Sequence, residues 1–250
     1  MVAVALACTL AFVFTAAIVS VRLLALARVT GGLPELTCGL GLGLIVALGL
    51  PVRLVGDALL EAHWSLGVAL LVASGSSFAA GWTALAVFTW KVFRPDSFLV
   101  GWAVRGAILV FAGSTLAEAS RLLQLDDPSM AKHLSSWSFV TLFTAELLYA
   151  WTGFEALRCY RQFRRRLALG LADPVVTNRF LLWATVMGCS MISLGAPLYA
   201  GWIGLSPMEI AEVQLTTALA GLPCTAALYL AFLAPRSYRD WVLRRSARTS

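Results

Sequence analysis

The sequence predicts an all-α integral membrane protein of seven transmembrane helices, its N-terminus outside and its C-terminus in the cytoplasm, and three observations lead there. Of the 250 residues, 60% are hydrophobic and 13% charged, more apolar surface than a water-soluble domain can bury. Prolines and helix-capping residues divide the chain into apolar stretches long enough to span. Lysine and arginine fall almost entirely on alternate ends of those stretches. At roughly 20 residues per span, the length holds about seven helices and leaves no room for a separate soluble domain.

The first apolar stretch has no basic residues before it; Arg22 and Arg28 follow it. That is the polarity expected of an uncleaved first span rather than of a signal peptide. Later starts are marked by proline, which is tolerated in a first turn because its missing N–H would have no partner there. Pro34 follows Gly31-Gly32, Pro95 precedes Asp96-Ser97, and Asp127-Pro128 and Asp173-Pro174 each place an aspartate cap before the ring. Ser206-Pro207-Met208-Glu209 reads as a capping box, and Pro235 ends the last span. The predicted spans are 3–27, 34–56, 64–91, 98–118, 135–157, 178–202 and 209–233. The third is long enough to tilt or protrude. Residues 237–245, with Trp241 among arginines, predict a short amphipathic helix on the inner leaflet.

With these boundaries, 15 of the 19 basic residues lie on one side, which the positive-inside rule makes cytoplasmic. The net charge of +6 then reports membrane orientation and a face for anionic lipids, not nucleic acid. A plasma or inner membrane is the expected location. Trp64, Trp137 and Trp202 fall at the outer interface and Trp90, Trp102 and Trp241 at the inner one, as in aromatic belts. The five cysteines include no CxxC pair and none in a predicted outer loop, so neither a disulfide framework nor a cysteine metal site is expected.

Short internal matches suggest a repeat. Leu48-Gly49-Leu50-Pro51 in the second span is matched by Leu194-Gly195-Ala196-Pro197 in the sixth. Ala80-Gly81 and Ala220-Gly221 are each followed 14 residues later by a proline, Pro95 and Pro235, and Phe14-Thr15-Ala16 echoes Phe143-Thr144-Ala145. The organisation that follows is a three-helix unit (1–95), a linker helix (96–120), a second three-helix unit (128–235) parallel to the first, and a basic tail (236–250). In this architecture the chain resembles the seven-helix 3+1+3 superfamily of sugar-facilitator and PQ-loop transporters, microbial rhodopsins and related receptors. It carries no Pro-Gln pair and no lysine between Thr216 and Leu233, so neither the PQ-loop mark nor a retinal Schiff base is implied.

Ionisable groups within a membrane are costly unless paired or hydrated, and so point to function. Glu146 falls near the middle of span 5 and Arg105 in the inner half of span 4, which allows Arg105 to pair with Glu146 or with Glu155, nearer the cytoplasm. Such a pair serves either as structure or in solute or proton coupling. Ser77 in span 3 and Thr144 in span 5 give those helices polar sides that can line a hydrated cavity or hydrogen-bond across helix interfaces. Pro223, mid-span after Gly221, is expected to kink helix 7 and expose carbonyls to the interior. The Gly39-x-Gly41-x-Gly43 run reads as helix packing. His63 and His133, both in outer loops near acids, are weak candidates for a shared metal site. No histidine lies in a span, so intramembrane hydrolysis and haem ligation are not expected, and no cofactor or enzyme activity is implied. The reading that follows is a binder, and translocator, of a small solute in a cavity between the two units. The alternatives are a sensor whose basic extension, Arg158 to Arg166, meets a cytoplasmic partner, and a structural membrane subunit.

Overall fold

Chain segments free of β-favouring alternation and punctuated by caps fold as helices throughout. The computed structural model describes residues 2–125, 127, 130–131, 133–204 and 210–247, and contains no strand among them. We number the helices α1 (Val2–Thr30), α2 (Leu33–Leu59), α3 (Trp64–Phe93), α4 (Phe98–Leu123), α5 (Ser136–Ala168), α6 (Pro174–Trp202), α7 (Ala211–Phe232) and α8 (Arg236–Ala247). The predicted spans each fall on one of the first seven, and the amphipathic segment after Pro235 is α8. The capping box at 206–209 lies outside the described residues, as do Pro128 and part of its surroundings.

The caps act as their sequences imply. Ser97 Oγ accepts from Val100 N–H, Ser135 Oγ from Ser138 N–H at 3.0 Å, and Asp173 Oδ1 from Val175 N–H at 2.7 Å. Each satisfies a donor that the first helical turn leaves without an intrahelical partner. Glu118, near the end of α4, accepts from Ser135 Oγ and is held by Arg121 at 2.7 Å, which ties the end of α4 to the start of α5.

Six of the helices, α1, α2, α3, α4, α6 and α7, are long and apolar enough to cross a membrane, which makes the chain a multi-pass membrane protein by length and composition. These are six of the seven expected spans. At 33 residues α5 is the longest of the described helices, and Glu146, Glu155 and its arginine-rich end make it less apolar than those six. Neighbours in sequence are neighbours in space from α1 to α7, α7 closes against α1, and α3 also reaches α5.

In α2 the helix widens into a π-helical turn over Gly43–Gly49, with Leu50 N–H bonding back to Ile45 O. Pro51 accounts for it: the ring supplies no N–H and collides with the carbonyl four residues earlier, and a wider turn relieves both. Hydroxyls from the flanking helices bracket the disturbance, Ser20 Oγ donating to Gly39 O at 2.8 Å and Ser77 Oγ to Leu44 O at 2.7 Å.

The two helices α2 and α3 meet backbone to backbone at Gly81. A Cβ there would stand 2.6 Å from Ile45 Cγ1 and 3.0 Å from Ile45 N, whereas Gly221, its counterpart in the sequence repeat, has open space around it. Gly81→Ala is therefore expected to destabilise the protein by about 2 kcal/mol through overpacking, and Gly221→Ala to be neutral within error. Thermal unfolding of both variants in detergent is the check; equal effects would contradict the close approach.

Candidate functional site

The seam between α3 and α5 carries a descending series of polar contacts in an otherwise apolar interior. Trp82 Nε1 donates to Tyr149 Oη at 2.9 Å, the hydroxyls of Thr89 and Thr152 lie 2.8 Å apart, and Arg94 Nε donates to Glu155 Oε1 at 2.9 Å. Thr89 and Thr152 are fully buried, and each hydroxyl also lies within hydrogen-bond reach of the carbonyl four residues back in its own helix, three contacts shared by two protons. The residues on α5 recur every third position, so Tyr149, Thr152 and Glu155 share one face. Trp82 is stacked between Phe78 and Phe111, at 5.4 and 5.6 Å between ring centroids, which fixes the indole for its hydrogen bond.

Two of the residues expected to form an ion pair are not brought together. Arg105 follows the buried Val104 and so emerges on the outer surface of α4, its guanidinium 5.1 Å from the Trp102 ring centroid. Glu155, only 5% exposed, takes Arg94 as its partner, with Arg158 farther off at 3.9 Å. Arg94 was counted in the sequence only as a topology signal; its place one residue after α3 ends lets it reach across to α5.

Glu146 lies one turn before Tyr149, on the side of α5 that faces α6. Its Oε2 is buried and accepts no hydrogen bond among the described residues. Opposite stands Gly195, where a Cβ would lie 3.7 Å from Glu146 Oε1. Two residues on is Pro197, within α6. Proline leaves the carbonyl four residues earlier without its helical donor, and that carbonyl, Ser193 O, faces Thr217 Oγ1 of α7 at 3.5 Å; Ser193 Oγ in turn faces Thr217 O. Glu146 therefore sits beside a point where α6, though continuous, lacks the helical donor that Pro197 cannot supply, and where the freed carbonyl is met from α7.

Other expected site residues take plainer roles. Ser77 is spent on the π-helical turn of α2, and Thr144 bonds to Val140 O at 2.8 Å in its own helix. Pro223 is on the exposed face of α7, so its kink does not open the interior as expected. The middle of the bundle holds a continuous apolar core, in which Ala16, Trp82, Phe111, Ala145, Trp183 and Leu228 are all buried. His63 and His133 are exposed, and the described residues contain no group of three or more possible metal ligands.

No protein-family model matches the chain, and no curated protein or solved structure is similar to it. Its class, a multi-pass helical membrane protein, thus rests on its own six apolar helices.

Because Glu155 is buried, removing its partner strands an acid in the seam. Arg94→Ala is expected to cost about 2 kcal/mol, the usual range for a hydrogen bond to a charged group, while Arg105→Ala leaves stability nearly unchanged. A double-mutant cycle with Glu155→Gln, read by thermal unfolding, should show coupling for Arg94 and none for Arg105.

Proposed function

We propose that the chain is a seven-helix membrane protein of the plasma or inner membrane, α5 being the seventh span, which binds a small solute at Glu146 and moves it by bending α6. The observation that carries this reading is the buried Glu146 oxygen without a protein partner. An unmade hydrogen bond at a buried group costs about 1–3 kcal/mol, and more for a charged one. A bound cation, or a solute with an N–H or O–H donor, completes it. The missing helical hydrogen bond at Pro197 places a bendable point of α6 beside the binding atom, and with apolar side chains packed across the middle of the bundle, passage depends on such bending. Binding and movement, not chemical conversion, are what this constellation offers.

Three observations support two parallel three-helix units joined by α4, in the manner of the 3+1+3 superfamily, with α1 starting outside. Phe14 and Phe143 are both exposed, and Ala16 and Ala145 both fully buried, so the matched segments present the same faces. Ser77 and Thr217, separated by 140 residues as are Gly81 and Gly221, each offer a hydroxyl to a carbonyl of the preceding helix upstream of its proline. The seam of α1 with α7, the counterpart of α3 with α5, is likewise fastened near its basic end by an arginine, Arg22 donating to Phe232 O at 3.0 Å.

The reading is tested by uptake into proteoliposomes of a panel of monovalent cations, small amines and sugars. Wild type is expected to accumulate at least one, and Glu146→Gln, folded to the same melting temperature, to lose that uptake at least tenfold. Uptake of none by wild type, or undiminished uptake by Glu146→Gln, would sink the proposal.

A further inference from the structure

Beyond Glu146, the outward face of α5 changes character abruptly. Val140, Phe143, Leu147, Phe154 and Leu157 are exposed large apolar residues spaced three, four or seven apart, the spacing of one helix face. Directly below, the same face continues as Arg158, Arg161 and Arg165, all exposed. Phe154, Leu157, these three arginines and Gln162 line a surface groove of about 260 Å³.

The charge in this groove is largely unspent. From Ala156 to Ala172 the sequence holds five arginines and no acid. Arg158 approaches Glu155 at 3.9 Å, but Glu155 is already paired with Arg94, and no acid pairs with Arg161 or Arg165 among the described residues. Arginine forks match phosphate oxygens in a way that water or a point charge does not.

We infer that this groove binds one anionic phospholipid of the inner leaflet, its phosphate held by Arg158, Arg161 and Arg165 and an acyl chain lying along Leu157 and Phe154. The inference rests on the proposed crossing of the bilayer by α5. An acidic protein segment would satisfy the arginines but not the exposed apolar stripe running away from them into the spanning part of the helix, whereas a phospholipid carries both chemistries in that order. Each arginine near the surface strengthens attachment of an anionic lipid about fivefold, from roughly 1 kcal/mol apiece.

The test is native mass spectrometry of the full chain in detergent, titrated with phosphatidylglycerol or phosphatidylcholine. Wild type is expected to retain one phosphatidylglycerol preferentially. Arg158→Gln with Arg161→Gln and Arg165→Gln should weaken that retention roughly 100-fold, and the charge-matched Arg164→Gln, Arg239→Gln, Arg244→Gln variant should leave it intact. Should the triple variant unfold, Arg161→Gln alone is expected to weaken retention about fivefold and Arg161→Lys less. Equal retention of the two lipids, or equal losses in the groove and control variants, would overturn the site. Photo-crosslinking with a diazirine-bearing acyl chain separates the two levels of the argument. Crosslinks at Phe154–Leu157 from both lipids, insensitive to the arginines, would remove the headgroup site and leave α5 in the bilayer; crosslinks nowhere on α5 would remove both.

Discussion

Lipid offers no hydrogen bonds, and that single constraint organises this molecule. Every carbonyl freed within the apolar region has to be served by another part of the chain. The carbonyl freed by Pro197, Ser193 O, is accordingly met by Thr217 from α7, and Ser77 from α3 bonds Leu44 O within the widened turn before Pro51. Most hydroxyls on the described helices bond to a carbonyl one turn back, and those that reach farther, such as Ser20 to Gly39 O at 2.8 Å, join neighbouring helices. Polar side chains in the bundle are thus mostly fastenings. Against that background three buried side-chain atoms lack a partner among the described residues, the indole nitrogens of Trp90 and Trp183 and the Glu146 Oε2, and only the last belongs to an ionisable group.

The same constraint explains why α5 can be the least apolar of the long helices and still occupy the interior. Tyr149, Thr152, Glu155 and Thr141 face α3 and α4, where Trp82, Thr89, Arg94 and Ser114 meet them, Glu146 faces α6, and the outward face keeps Phe143, Leu147 and Phe154. An average over the helix mixes the two faces and hides a surface that is apolar wherever lipid would touch it. Burial of the Glu155 carboxylate is tolerated because Arg94 and Arg158 both approach it.

Helix positions were legible in the sequence because they depend on local chemistry. The Ser97, Ser135 and Asp173 caps fall where starts were expected, and Pro235 separates α7 from α8. Helix rotation was not legible. When a helix is apolar on every side, periodicity no longer indicates which face points inward, so Arg105 and Pro223 were expected inside and lie outside. The π-helical turn was hidden for a related reason: Pro51 announces a disturbance of α2 but not whether it kinks the helix or widens a turn. Of the site, Glu146 was readable from its depth alone, while its neighbours across the seam, Gly195 and the Ser193–Thr217 pair, depend on how α5, α6 and α7 turn toward one another.

The account depends most on α5 passing through the bilayer between the exposed His133 and the turn at Gly170. The direct measurement is labelling by a membrane-impermeant maleimide of single cysteines placed at His133 and at Gly170 in a chain whose five native cysteines are replaced. The account predicts reaction at 133 from outside and at 170 only after the membrane is opened. Labelling of both from the same side would contradict it.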